Sequence, residues 1–467
     1  MTSLRNMSKT DSATEYDVLA VLGAIMALKL LFLMLDGNLR FILGDSAVYL
    51  NSAFANLPTD RSWTYGALFI KALLNFGSVQ AVIYAQAALS GLSCYLLYRI
   101  LRRQVGLAGR WASALSLLAC IEPLSLVYER FLLTDSLAWS LMTLLISLTI
   151  SMLRRPEENG VGRAIAFALL FVAIASLRGA YMPVLGFLVI FVVCFLMYRY
   201  RTTKQFVFLS ALTVTLISFN AVYFSETKRL TGNASYNSSD GFFLLASWAP
   251  NIEKVDLDRH IDGSTVIDTL GFTLNDVRNR PGHLFLPDGL ISRLRQHLGD
   301  DQLANVVARK AALHSLERNP WGIVTLAWQT YSGYWDTGYM LDRLRHESGI
   351  LPLDANLVEL VRDRFHESLA ENHLQASLFR SILLHVRVWD AAIPFITILL
   401  ALSGLWCRTA SASMVAATAV IILFAALGLA TEPVPRYLIG LPWLNLLLTG
   451  MLAGTIRPAL VQDIGCS

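Results

Sequence analysis

Apolar runs close to the thickness of a bilayer's hydrocarbon core recur along the whole of this chain. A helix needs about 20 consecutive apolar residues to cross a membrane, and backbone in lipid must satisfy its own hydrogen bonds. Candidate spans fall at 18–35, 79–98, 111–127, 133–152, 164–177, 182–198 and 206–224, with three more at 390–406, 412–430 and 438–455. The alternation of barrel strands is absent, so the fold class is an all-α polytopic membrane protein. Composition agrees. Charged residues make up 15% of the 467 and hydrophobic residues 55%, against about 25% charged in an ordinary soluble domain.

The basic residues of the short loops set the orientation. Arg99, Arg102, Arg103 and Arg110 fill one loop; Arg154, Arg155 and Arg163 the next on that side; then Arg199, Arg201 and Lys204, and later Arg408 and Arg457. All fall on one face if both termini are cytoplasmic and there are ten spans. The chain then divides into a cytoplasmic N-terminus at 1–17, a seven-span module at 18–224, an extracytoplasmic mixed domain at 225–388 and a three-span module at 389–467. The apolar run behind the polar N-terminus has no small-residue cleavage site, which predicts an uncleaved first span. The stretch from Trp321 to Trp335 follows Asn319-Pro320 and is apolar but short. It reads as an interfacial or re-entrant helix; an eleventh span would put Arg408 outside and Arg436 inside, against the positive-inside count. A helix is expected from about Asp288 to Arg318.

The net charge of +4 follows the topology and forms no basic patch, so no nucleic-acid partner is expected. The five cysteines show no metal-ligand spacing and sit in or beside apolar runs. The eight histidines are scattered through 260–385, where surface histidines are the ordinary reading.

Ionisable groups at the ends of spans are functional candidates by default, because charge at membrane depth is expensive. On the outer face these are Asp36, Asp45, Asp60, Arg61, Glu122, Glu129, Arg130, Asp135, Arg178, Glu432 and Arg436. Guanidinium groups bind phosphate oxygens in a bidentate fork, and a carboxylate can take a proton from an attacking hydroxyl. Each has a structural reading beside it. Asp45 opens a helical pattern (Ala47, Leu50, Phe54, Leu57) expected to lie flat at the interface, and Asp is a preferred N-cap. Asp135 also reads as a helix start, Arg61 and Arg436 as headgroup anchors, Arg178 as part of a tight turn, and Glu122 as facing a cavity or pairing with Arg130.

Gly44-Asp45-Ser46 with Tyr49 and the helix behind it resembles the first-loop signature of the GT-C superfamily of integral-membrane glycosyltransferases. That superfamily includes the lipid A aminoarabinose transferase and the protein O-mannosyltransferases. Asp60-Arg61-Ser62 resembles the acidic–basic–Pro segment before the second span, with Ser62 in place of Pro. Glu122-Pro123 and Thr134-Asp135 resemble the hairpin between the third and fourth spans. Pro435-Arg436-Tyr437 resembles the Arg-Tyr turn before the last span. The resemblance implies a polyprenyl-phosphate sugar as donor and a lipid, polysaccharide or protein acceptor on the extracytoplasmic face of the cell inner membrane, with inversion at the anomeric centre. It implies Asp45 as general base, Asp135 as a second catalytic group, Arg61 and Arg436 as donor-phosphate contacts, and Tyr49, Asp60, Glu122, Arg130 and Arg178 as supporting residues within the first outer loop (36–78) and its neighbours. The first loop has no Asp-x-Asp pair, so no obligatory metal is expected, and a divalent ion stays open. A lipid-linked glycan transporter or flippase, or a non-catalytic assembly subunit, are the other readings. A transporter should carry charges deep in its spans and broken helices in paired halves, whereas the charges here cluster at span ends.

Overall fold

The computed structural model of the protein describes residues 2–42, 45–55, 62–200, 202–232, 234–236, 239–347, 355–366, 385, 387–407 and 409–464. Among these the backbone is helical, and the one extended pairing is an isolated parallel bridge between Arg40 and Phe131. The helices of the first module are α1 (Thr2–Leu35), α2 (Asp45–Ala55), α3 (Thr64–Leu74), α4 (Ala81–Val105), α5 (Gly109–Cys120), α6 (Pro123–Tyr128), α7 (Thr134–Arg154), α8 (Val161–Leu177), α9 (Met182–Arg199) and α10 (Thr203–Thr231). Eight helices among the described residues are long and apolar enough to cross a membrane, and they coincide with eight of the ten expected spans.

The other two spans differ, each for a local reason. The run at 111–127 is broken after Cys120. Glu122 adopts extended backbone and accepts hydrogen bonds from the amides of Leu124 (3.1 Å) and Ser125 (2.7 Å), starting α6 afresh. Pro123 suits that first position because its missing N–H would have had no helical partner. The second difference is α8, which has 17 residues and falls just short of a full span.

The helix expected to lie flat at the interface buries its apolar face against protein. Leu50, Ser46 and Ser52 on α2 have no exposed surface, because α3 closes over them. Gly66 of α3 permits the approach: a Cβ there would lie 2.7 Å from the Ser52 Cβ and 2.8 Å from the Tyr49 carbonyl oxygen. Ser46 Oγ donates to the Leu132 carbonyl at 3.0 Å and accepts from the Ile42 amide at 2.9 Å. The amphipathic spacing is real, but its apolar face meets protein.

Past α10 the chain builds a unit of helices and loops. Its elements are α11 (Asp240–Ser247), α12 (Lys254–Asp258), α13 (Gly263–Ile267), α14 (Arg280–Phe285), α15 (Leu290–Leu298), α16 (Asp301–Arg318), α17 (Pro320–Gly333), α18 (Thr337–Glu347) and α19 (Ala355–Phe365). Phe242, Leu245, Leu257, Leu290, Leu294 and Ala308 are among the residues of its own apolar core. The single helix expected over 288–318 is two, because Gly299 turns the chain at φ +66° and Asp300 caps α16. At 14 residues α17 is about 21 Å long and cannot cross about 30 Å of hydrocarbon. Ile323, Leu326 and Ala327 on its inner face are buried, while Trp321, Trp328 and Trp335 are exposed.

The last module contains α20 (Arg387–Trp406), α21 (Ala410–Gly428) and α22 (Leu441–Ile464). The helical unit takes hold of the turn that joins α21 to α22. Trp248 Nε1 donates to the Gly428 carbonyl (2.7 Å), Ser247 Oγ to Leu429 (2.8 Å), Arg280 Nη1 to Ala430 (3.1 Å) and the Tyr334 hydroxyl to Val434 (2.9 Å). The first two of these satisfy carbonyls at the end of α21 that have no partner within the helix. Arg280 is buried and also reaches the Ser247 carbonyl and Thr330 Oγ1. Burial pulls its pKa down to about 10. Arg280→Leu leaves these acceptors without a donor and is expected to cost about 1–3 kcal/mol for each one that water cannot reach. Thermal unfolding of the detergent-purified variant measures that loss.

Candidate functional site

Two segments meet at one end of the bundle and fix where the site residues stand. The segment Phe131 to Leu133 before α7 is pinned to the chain leaving α1: the Arg40 amide donates to the Arg130 carbonyl and the Leu132 amide to the Arg40 carbonyl, both at 2.9 Å. The extended residue Leu133 precedes α7, so Asp135 falls in the first turn of that helix, where the N-terminal dipole favours a carboxylate. Arg178, the extended residue that ends α8, forms an ion pair with Asp135. Burial opposes the charge on Arg178, but Asp135 together with Tyr181 and Tyr437 outweighs it and holds the pKa above the ordinary arginine value.

Asp45 is the first residue of α2 and is buried. Its Oδ2 lies 3.3 Å from Nη1 of Arg436, in the turn before α22. The two ion pairs are joined by one ring. The guanidinium carbon of Arg178 sits 5.0 Å from the centroid of Tyr437, and that of Arg436 sits 5.3 Å from it. Asp45, Asp135, Arg178, Arg436 and Tyr437 therefore form one constellation drawn from four parts of the chain. Its formal charge is balanced, with each carboxylate on a guanidinium. Such a cluster can bind an anion where an incoming phosphate exchanges for one of the carboxylates, since arginine pairs with either.

Tyr49 stands beside it, its ring edge-on to Tyr65 at 4.9 Å. The Tyr65 hydroxyl donates to Gln86 Oε1 (3.1 Å), and Gln86 Nε2 donates to the carbonyls of Glu129 and Phe131 (3.0 and 2.9 Å). Gln86 thus ties the second span to the segment before α7.

Arg130 belongs to a different group. Its Nε donates to the Asp36 carbonyl at 2.6 Å, Nη2 to Phe32 at 3.0 Å and Nη1 to Glu129 Oε1 at 2.9 Å. Glu129 also accepts from Lys29 Nζ at 2.7 Å, and Asp36 pairs with Arg40. These contacts close the C-terminus of α1 against the hairpin. Glu122 caps α6 and accepts from the Trp389 indole at 3.4 Å, away from Arg130's bonds. Glu432 pairs with Arg343 at 2.7 Å. Asp60 and Arg61 lie outside the described residues, as does Gly44.

Sequence reasoning passed over Lys29, Gln86, Asp390 and Tyr437 as site residues. Lys29 and Asp390 were detectable as lone charges inside apolar runs. Nothing in sequence marks Gln86 as a hub. Among the described residues no group of three or more His, Cys, Asp or Glu side chains is placed to hold a metal ion.

No family model matches the chain, and no curated protein matches it. Among solved structures it is similar to ArnT from Cupriavidus metallidurans in the apo state, at 16% identity, over 97% of this chain and 80% of that one, with a TM-score of 0.37. A superposition that loose does not establish kinship.

Proposed function

We propose that the protein is a GT-C-type membrane glycosyltransferase, multi-pass in the cell inner membrane, that transfers a sugar from a polyprenyl phosphate to an acceptor on the extracytoplasmic face. The observation that carries this reading is the Asp45–Arg436 and Asp135–Arg178 pairs gathered about Tyr437 at one end of an apolar bundle. It joins two parts of the first-loop and last-turn signatures that are far apart in sequence.

In this reading the donor phosphate competes with Asp45 for Arg436. The released Asp45 carboxylate takes the proton of the acceptor hydroxyl. The acceptor oxygen forms its bond to the anomeric carbon on the face opposite the phosphate. The bond from that carbon to the phosphate oxygen breaks, and the phosphate leaves with the electron pair. Arg436 and Arg178 stabilise the departing charge. Asp135 holds Arg178 in position, and Tyr437 keeps both guanidinium groups in register. Arg61, with Asp60 beside it, is a further phosphate contact on the sequence resemblance alone. A divalent ion is not required by these steps.

Asp45→Asn keeps the shape and removes the base. Sugar release from a panel of labelled polyprenyl-phosphate donors is expected to fall about 10²–10⁴-fold in the variant. Equal turnover by both proteins would sink the role of Asp45, and no turnover by the wild type with any donor would sink the transferase reading.

A further inference from the structure

Two arginine-bearing loops that the sequence assigns to one face hold their charge differently. In the turn after α7, Arg155 and Arg163 both pair with Glu158. The hairpin joining α4 to α5 has nothing equivalent. Arg99, Arg102, Arg103 and Arg110 crowd into it, and no Asp or Glu occurs between Asp60 and Glu122. Among the described residues none of these four arginines meets a carboxylate.

The fold presents this charge on a rigid support at the level of lipid headgroups. At 25 residues α4 is about 37 Å long, so its last turn emerges from about 30 Å of hydrocarbon. Arg99 and Arg103 there are exposed, while Leu101 between them has no exposed surface. Gly106 turns the chain at φ +79°, and the Leu107 amide donates back to the Leu101 carbonyl at 2.9 Å. Leu107 is buried and pins the turn. Behind it Gly454 lets α22 come close, since a Cβ there would lie 2.6 Å from Val105 Cγ1. Arg102 lies along the start of α5, with Nε 3.9 Å from where a Gly109 Cβ would stand. The guanidinium carbon of exposed Arg110 sits 5.6 Å from the ring centroid of Trp111, which is itself exposed. Exposed tryptophan beside the end of a span marks the boundary between lipid and water.

We propose that the α4–α5 hairpin is a docking surface for anionic phospholipid headgroups in the leaflet where α4 ends. The charge stands where headgroup phosphates stand, and the protein supplies no carboxylate to neutralise it. The guanidinium groups pair with those phosphates, and Trp111 fixes the depth of the hairpin. The turn after α7 lacks this capacity, because Glu158 has already taken two of its arginines. The inference rests on the hairpin and not on the transferase reading.

Titration of the purified full-length protein with phosphatidylglycerol or phosphatidylcholine, with bound lipid counted by native mass spectrometry, tests it. The wild type is expected to hold phosphatidylglycerol about tenfold more tightly, with the margin shrinking as salt rises. Arg102→Gln, Arg103→Gln and Arg110→Gln together should lose most of that preference. The same three positions changed to lysine should keep it, because the headgroups are held by charge. Arg155→Gln with Arg163→Gln should bind as the wild type does. No preference in the wild type, or one that survives in the triple glutamine variant, overturns the proposal. So does a triple lysine variant that binds no better than the glutamine one. Equal loss in the Arg155 and Arg163 variant overturns it by making any arginine of that face sufficient. Displacement of the lipid by millimolar inorganic phosphate overturns it by assigning the surface to a free anion.

Discussion

Glu129→Gln is expected to destabilise the protein by about 3–5 kcal/mol. The side chains of Lys29 and Glu129 are 3% and 1% exposed, and that of Arg130 is 1% exposed. One carboxylate serves two cations, at 2.7 and 2.9 Å. Removing it strands both in the interior, and the cost is the desolvation of charges that have lost their counterion. The two cations are not equally exposed to the loss. Arg130 keeps the carbonyls of Asp36, Phe32 and Leu126, whereas Glu129 is the partner through which Lys29 is satisfied. Lys29→Met combined with Glu129→Gln is therefore expected to recover more than half of the loss. Denaturant unfolding in detergent measures both variants. A single variant as stable as the wild type would mean that water reaches this cluster.

Arg436→Gln is expected to lower transfer by about 10²–10³-fold in kcat/KM, the size usual for losing one preorganised donor to a developing anion. The guanidinium does two jobs in the proposed chemistry. It holds Asp45 in the resting state and takes the phosphate when the donor arrives. Arg436→Lys keeps the charge but gives up the planar fork and the seat over Tyr437, so it should restore little of the rate. Activity unchanged in both variants would remove Arg436 from the site.

The membrane architecture could be read from sequence because one physical requirement, the length of an apolar helix, governs it. Eight spans stand where hydropathy puts them. The failures occur where a second interaction competes. Glu122 and Pro123 start a new helix in the middle of an apolar run, and the strength of a cap does not show in hydropathy. The periodicity of α2 identifies a face to be buried but cannot say whether lipid or α3 buries it. At the site, Asp45, Asp135, Arg178 and Arg436 were all legible as charges at span ends. Their pairing was not: of the two readings of Glu122, facing a cavity or pairing with Arg130, the structure keeps the first, and it gives Arg130 to Glu129 and to the end of α1. Tyr437 stood in a quoted motif, but only the fold shows it lying between two guanidinium groups.

The ion pair between Asp45 and Arg436 joins residues separated by 391 positions. A membrane protein is threaded into the bilayer from its N-terminus as it is made, so these two groups enter at opposite ends of synthesis. Asp45 waits through the insertion of nearly every other helix before its partner emerges. The turn bearing Arg436 is then seized by Trp248, Ser247, Arg280 and Tyr334, which have already folded outside the bundle. A nascent chain arrested before that turn would possess the bundle and the helical unit yet have no assembled constellation. The ion pair between α2 and the turn before α22 is thereby closed last, when the final helix is in place.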